Sequence, residues 1–261
     1  MNILEYQMID ILKSLKNEYG VFEIKAEFEA EGSRMEELMR LKDITTFVGL
    51  PIILKIGGVE AVTDVYNALS IGVKGVIAPM VETPFALSKF LNLIKNMIAK
   101  DNAQDIDFAF NLETITAYNN IDQMFKMPDI SILSGVTVGR VDLTGSMGLG
   151  RDAINTSGEV FDICKNVFEK AKKNNLKTGL GGGISKEALP VIGELVKSGL
   201  LDKFETRKVV FPSESCKYGY PSILKALEFE LLWLKSKRRF YSGIKAEDES
   251  RIAMLEKRFG G

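Results

Sequence analysis

The sequence predicts one α/β domain built as a (β/α)8 barrel, with a helix ahead of it and further helices behind it. Two observations carry that expectation. From residue 20 onward, short β-branched runs alternate with amphipathic stretches, at the roughly 25–30 residues per unit expected of right-handed βαβ crossovers onto a parallel sheet. Several of these runs also stop on a charged residue, at the strand ends where barrels of this kind assemble their sites. A chain of 261 residues suits one such barrel, and no proline- or glycine-rich linker or internal repeat divides it.

Residues 3–18 read as an opening helix placed to cover the barrel bottom. The first strand spans 21–28, and the helix after it, 33–47, begins with Ser33 and Glu36 at capping-box spacing. A strand over 51–56 and a helix over 60–70 follow. The strand over 75–81 leads to a helix opened by Pro84, where proline is tolerated in a first turn, and running to about residue 99. Residues 107–112 form a strand and 117–125 a helix. Another strand lies within 130–139, with a helix over 159–173. Strands at 177–180 and 207–211, separated by a helix over 186–197, complete the series. That makes seven where a closed barrel has eight. Either a cryptic strand lies near 131–133, or the barrel is irregular at one seam.

After Pro221 the pattern changes. Residues 222–240 read as a long helix, apolar on more than one face through Leu224, Leu227, Phe229, Leu231, Leu232 and Trp233. Residues 246–258 read as a second, charged helix. The pair packs on its own barrel or forms a subunit-contact arm. The expected organisation is thus one domain over 1–261: an N-terminal helix (1–19), the barrel (20–220) and a C-terminal helical extension (221–261).

Composition narrows the function. The 34 basic and 35 acidic side chains balance to a net charge of −1, and no basic stripe stands out, so nucleic acid is not expected as a partner. No apolar run approaches a membrane span, and residues 1–19 lack the h-region of a signal peptide. Cys164 and Cys216 lack metal-type spacing and fit a reducing compartment, so a cytoplasmic protein is expected. The chain contains no histidine, which excludes Ser-His-Asp and Cys-His catalysis and imidazole metal ligands. Proton transfer must then use carboxylates, lysines, tyrosines, a metal-bound water or the substrate.

Two strand ends stand out. Phe108-Ala109-Phe110 leads into Glu113, and Val136-Thr137-Val138 leads into Asp142, 29 positions later. On neighbouring parallel strands, roughly 4.8 Å apart, the two carboxylates converge at one sheet edge. Such a pair suits Mg²⁺ or Mn²⁺, which takes one or two carboxylates and fills its remaining positions with water and substrate oxygens. The ion can bind a 2-oxo acid and stabilise its enolate. Beside Asp142, the turn Thr144-Gly145-Ser146-Met147-Gly148 offers successive amides as a nest for a carboxylate. Arg140 points across the site or into an exterior salt bridge. The other strand ends carry Lys25, Glu27, Glu29, Lys55 and Glu82, then Gly181-Gly182-Gly183 and Pro212-Ser213. The triple glycine before a helix fits a phosphate site or a close-packed turn.

In this order the motifs resemble a known family. The run from Gly75 to Pro84 (Gly-Val-Ile-Ala-Pro-Met-Val-Glu-Thr-Pro), Leu112-Glu113-Thr114, and Gly139 to Leu143 with its Gly-Ser-Met-Gly turn are similar to the HpcH/HpaI aldolase/citrate lyase family of phosphoenolpyruvate/pyruvate barrels. The resemblance runs over 21–212 and is strongest over 72–150. It implies a (β/α)8 barrel that makes or breaks C–C bonds beside a pyruvate or acyl-thioester enolate, in trimers or hexamers. Glu113 and Asp142 then match the two metal ligands, residues 144–148 the pyruvate-carboxylate pocket, and Glu27 an acid of the aldolase branch. The chain departs from the pattern in three places. Phe28 occupies the aldolase histidine position. Lys55 stands for an arginine, keeping its charge without the bidentate fork. The strand over 208–212 lacks the usual ending of the acyl-thioester branch. A divergent subfamily is the implication.

The reading that results is a divalent-metal-dependent carbon–carbon lyase or aldolase acting on a 2-oxo acid. Glu113 and Asp142 hold Mg²⁺ or Mn²⁺. Lys55 and Arg140 meet enolate charge, Glu27 or Glu82 moves protons, and Lys25 with Thr144, Gly145, Ser146 and Met147 binds substrate. Three alternatives stand beside it: a Schiff-base aldolase using Lys25 or Lys55, a phosphoenolpyruvate enzyme (Arg140 before Asp142 resembles a strand ending of pyruvate kinase), and a non-catalytic barrel subunit.

Overall fold

The computed structural model describes residues 1–259. Eight strands close into a barrel in chain order: β1 (Glu23–Glu27), β2 (Ile52–Lys55), β3 (Gly75–Ala78), β4 (Asp107–Leu112), β5 (Gly135–Gly139), β6 (Lys177–Gly181), β7 (Lys203–Glu205) and β8 (Val209–Pro212). The helices are α1 (Ile3–Tyr19), α2 (Met35–Val48), α3 (Val62–Ile71), α4 (Pro84–Met97), α5 (Lys100–Gln104), α6 (Ile115–Phe125), α7 (Arg140–Ser146), α8 (Gly158–Lys173), α9 (Leu189–Lys197) and α10 (Tyr220–Phe259).

Side chains alternate across each strand, and the two faces differ sharply. Toward the helices point Ile24, Ile52, Leu54, Val76, Phe108, Phe110, Val136, Val138, Leu180 and Phe204, all part of one continuous apolar core. The alternate positions face the barrel axis, where only Ile53, Ile77, Ala109 and Val210 form an apolar cluster. This thin plug separates a lower cavity of about 230 Å³ from an upper one of about 530 Å³. Bulky branched residues usually fill such barrels in layers. Here the other axial positions carry glycines or charged and polar groups, and much of the interior is left open.

The irregular seam is β8. Strands β1 to β7 pair in parallel, but β8 runs antiparallel to both β7 and β1. Only Thr206, Arg207 and Lys208 separate β7 from β8, too short a link for the helical crossover a parallel neighbour requires. Pro212-Ser213 therefore lies at the bottom of the barrel, and not on the rim where the sequence pattern put it. The expected strand near 131–133 is a 3₁₀ turn, Ile130–Ile132, and the eighth strand is the three-residue β7.

The terminal helices also differ from expectation. α1 packs against α2 and α10 in the outer layer, and none of its residues lines the lower cavity. It ends at Gly20 in the left-handed region, beside Ser215, whose hydroxyl donates to Tyr19 O at 2.6 Å. The two C-terminal helices are a single helix, α10, of 40 residues. It starts at the barrel bottom, climbs past Trp233, and meets α2 at the top, where Tyr241 Oη donates to Glu37 at 2.7 Å. Residues 242–259 beyond that point are all exposed. The N-terminus of α2 is capped one residue later than its sequence suggests, with Glu37 accepting from the Arg34 amide.

Candidate active site

The upper cavity opens at the carboxyl ends of the parallel strands, and its acidic residues arrive in register. Leu112 of β4 pairs with Val138 of β5, so Glu113 stands one step on, beside Gly139. Gly139 pairs with Gly181 of β6, and Leu180 pairs with Phe204, which brings Glu205 beside Gly181. One rung of the sheet thus reads Glu113, Gly139, Gly181, Glu205 across four successive strands. Gly139 is required by this arrangement, whereas at Gly181 a β-carbon would make only ordinary contact. A β-carbon on Gly139 would stand 2.5 Å from Glu113 Oε2, and one on Gly181 would stand 3.4 Å from Glu205 Oε1. Each carboxylate leans over the neighbouring strand.

Glu113 is almost fully buried, and burial pushes its carboxyl above the usual range against the pull of Lys55. Its Oε2 lies 3.7 Å from Lys55 Nζ, and its Oε1 accepts a long 3.4 Å bond from the Met80 amide. Met80 holds a left-handed φ of 48°, a strained backbone position for a side chain with a β-carbon. Lys55 is bound more tightly to Glu29, at 2.6 Å. On the opposite wall Lys25 bridges Glu205 Oε1 at 2.7 Å and Glu27 Oε1 at 3.2 Å, all three side chains buried. Burial alone would strip the Lys25 proton. Glu205 and Glu27 outweigh it and hold the ammonium firmly. Burial likewise pushes Glu27 up, but Lys25, Lys55 and Arg207 bring it below the usual carboxylate range.

Among the sequence-predicted residues, Lys25, Glu27, Lys55, Glu113 and Asp142 all line this cavity, together with Glu29 and the triple glycine. The others fall elsewhere. Arg140 is fully buried, but its guanidinium turns away from the acids. It donates to the carbonyls of Gly181, Gly182 and Ile154 and to Asn155 Oδ1, tying the triple-glycine loop to α7. A β-carbon on Gly182 would collide with the amides of Arg140 and Val141, so the loop is a close-packed turn. Residues 144–146 are the end of α7 and no nest. The amides of Met147, Gly148 and Leu149 return to the carbonyls of Leu143, Gly145 and Thr144, and none of residues 144–148 lines the cavity. Thr144 Oγ1 donates to Arg140 and Val141 carbonyls, and Ser146 Oγ to Leu143. Glu82 sits outside the cavity, accepting from the Thr114 hydroxyl at 2.7 Å.

Sequence reasoning missed Glu205, Asn111, Arg151, Arg207 and Glu230, which all line the cavity. Phe204-Glu205-Thr206 repeats the apolar-Glu-Thr pattern of Leu112-Glu113-Thr114, and that repeat was the available signal. In ionised form the lining carries six acidic and four basic side chains, an excess of two negative charges. Among the described residues no group of three or more Asp, Glu, His or Cys stands at metal-binding spacing. Of the sequence-predicted pair, Glu113 is buried and Asp142 exposed, and both line the cavity, a set of two carboxylates. It fits a hard divalent ion whose remaining positions are filled by water and substrate. Glu113, buried with one lysine at 3.7 Å, gains most from added positive charge.

Among the described residues no helix is long and apolar enough to cross a membrane. No curated protein matches the sequence. Solved structures share the fold at low identity. An HpcH/HpaI aldolase from Desulfitobacterium hafniense DCB-2 superposes with a TM-score of 0.60 at 15% identity, over 77% of this chain and 82% of its own. Citrate synthase SbnG gives 0.64 at 15% identity, over 90% and 91%. An HpcH/HpaI aldolase/citrate lyase family protein from Burkholderia cenocepacia J2315 gives 0.61 at 14% identity, over 94% and 100%. The family model for HpcH/HpaI aldolase/citrate lyase matches residues 45–179, which hold β2 to β5 and both candidate metal carboxylates. That span is more than half of the sequence, and the chain belongs to the HpcH/HpaI aldolase/citrate lyase family.

Proposed function

We propose that this chain is a divalent-metal-dependent carbon–carbon lyase or aldolase acting on a 2-oxo acid of the pyruvate type. The observation that carries the reading is that Glu113, one residue past β4, and Asp142, in the first turn of α7 after β5, line one cavity, with a lysine 3.7 Å from the first acid. Glu113 and Asp142 would hold Mg²⁺ or Mn²⁺. When bound, the ion polarises the keto group and stabilises the enolate. Lys55, anchored by Glu29, keeps its ammonium beside Glu113 and attracts charge developing on the substrate oxygen. The buried walls keep these charges poorly solvated, which strengthens their action on substrate.

The alternatives lose ground to specific observations. A Schiff-base lysine must be deprotonated, and Lys25 and Lys55 are both held protonated by neighbouring carboxylates. Phosphoenolpyruvate chemistry leaned on Arg140, which does not line the cavity and whose guanidinium is taken up by the carbonyls of Gly181 and Gly182. A scaffold subunit has no use for so many buried charges around a cavity, because each costs desolvation. Exposed Ile244, Ile252, Met254, Leu255 and Phe259 on the free part of α10 support a homo-oligomer, such as a trimer or hexamer. The unpaired Cys164 and Cys216 suit a reducing cytoplasm.

The test is exchange of pyruvate methyl hydrogens with deuterium, followed by proton NMR in the presence and absence of Mg²⁺, alongside calorimetric titration of Mg²⁺. Metal-stimulated exchange is expected, with metal affinity abolished in Glu113→Ala. Unchanged affinity in that variant overturns the reading.

A further inference from the structure

We propose that Glu205 is the carboxylate that moves the proton in this site, a role left open because the chain has no histidine. The inference rests on the lyase reading above and assigns it a catalytic residue. Four observations lead to it. Glu205 lines the cavity at the end of β7, yet its side chain is only 2% exposed. One of its oxygens, Oε1, is bound to Lys25 at 2.7 Å, while Oε2 is buried with no hydrogen-bond partner. A buried carboxylate oxygen without a donor is costly, so a substrate hydroxyl or C–H acid brought beside it finds an acceptor already desolvated. Finally, Glu205 shares its rung with Glu113, the two separated only by Gly139 and Gly181. Each carboxylate leans over one glycine, so roughly one strand spacing, about 5 Å, remains between them for the reacting carbons.

The neighbouring carboxylates are less free. Glu27 has Oε1 on Lys25 and Oε2 facing Arg207 at 3.8 Å, so both of its oxygens face cations. Glu29 Oε2 also lacks a well-aligned hydrogen bond, but the Lys55 ammonium stands 2.6 Å from it, so a cation already holds that oxygen. Glu113 faces Lys55 and the Met80 amide and is the candidate metal ligand. Lys25 bridges Glu205 and Glu27, and so fixes the carboxylate of Glu205 in place while leaving Oε2 unused.

The step balances without a further reactant. On a 2-oxo acid with a hydroxyl on the carbon next to C3, Glu205 Oε2 takes the hydroxyl proton and that oxygen becomes a carbonyl. The bond to C3 breaks, and its electron pair passes into the enolate. The same proton then returns from Glu205 to C3, giving the shorter 2-oxo acid and an aldehyde or ketone and restoring the carboxylate. With pyruvate alone, removal and return of a C3 proton gives hydrogen exchange.

Glu205→Gln separates this role from a structural one. Expected are pyruvate hydrogen exchange with Mg²⁺ slowed at least 100-fold, oxalate binding by calorimetry within threefold of the wild type, and an unchanged circular dichroism spectrum. Exchange within threefold of the wild type overturns the assignment and leaves the lyase reading standing. A wild-type protein without exchange overturns both. Should Glu205→Gln fail to fold, Glu205→Asp decides, because it keeps the charge beside Lys25 but draws the carboxylate back. A tenfold or greater loss of exchange in that variant supports the role, and a smaller loss overturns it.

Discussion

Glu113 lies over Gly139 so closely that the two positions cannot both carry side chains in their present places. A β-carbon at residue 139 would stand 2.5 Å from Oε2 and 2.9 Å from Cγ of Glu113. The carboxylate that defines the site is positioned by the absence of an atom on the next strand.

Gly139→Ala is therefore expected to displace the Glu113 carboxylate with the barrel still folded. Overpacking of this kind costs about 1–3 kcal/mol. Mg²⁺ affinity should fall at least tenfold, measured by calorimetry, with a matching drop in the thermal midpoint. An alanine variant that binds Mg²⁺ like the wild type would show that Glu113 is not a ligand.

Lys208 ties the β7–β8 hairpin to the segment after β1. Its ammonium is buried, pairs with Glu31, and stands 5.6 Å from the ring centroid of Trp233 on α10. Burial pushes it below the usual lysine range despite Glu31. Removing one member of such a pair leaves the other charge stranded, so Lys208→Met should cost about 3 kcal/mol in urea unfolding. Adding Glu31→Leu should recover much of that loss, and no recovery would refute the pairing as the cause.

Glu23, facing the lower cavity, makes a prediction about pH. Burial pushes its carboxyl above the ordinary 4.5, opposed by Lys203 and reinforced by Asp107 and Glu205. A folded-state value above the unfolded one means that the native state binds more protons across that window. Glu23 is thus harmless below about pH 4.5 and increasingly destabilising as pH rises through its folded value. In urea unfolding, Glu23→Gln should gain stability relative to the wild type as pH rises from 4.5 to 7.5. A difference that is flat across that range contradicts the assignment.

The free end of α10 gives the fourth prediction. Residues 242–259 are all exposed, so within one chain they bury little. Ending the chain at Ser242 should leave the thermal midpoint of the barrel within a few degrees and reduce the mass seen by light scattering to that of a monomer. A mass equal to that of the full chain would exclude residues 243–259 as the contact of the proposed homo-oligomer.

The barrel was legible because its outward face is a clean period-two apolar stripe on β1 to β6, and the place of Glu113 and Asp142 in the upper cavity because each follows such a run. β7 was not, since three residues hold too little periodicity to register. The 3₁₀ turn at Ile130–Ile132 imitated a strand with two β-branched residues around a serine. Residues 144–148 looked like an open turn, but Thr144 and Ser146 bond back to their own helix, which tolerates Gly145. The C-terminal helices expected over 222–240 and 246–258 are continuous through the gap between them, where Gly243 is the strongest helix breaker. An interior glycine costs only about 1 kcal/mol relative to alanine, too little to end so long a run of helix formers. Lys25 and Glu205, 180 positions apart, meet only because the barrel closes.

The reversal of β8 reaches further than the seam it creates. In a regular alternation the chain would leave its last strand at the site-bearing face and descend, ending at the far side. With β8 pointing down, the chain turns at the bottom instead. α10 must ascend the full height of the wall, carries Leu227 and Glu230 into the lining of the upper cavity, and then runs on past the rim. One inverted strand thus moves the C-terminal tail from the lower face of the barrel to the face where the upper cavity opens. Whatever the tail touches is joined, through one continuous rod, to the lip of the upper cavity.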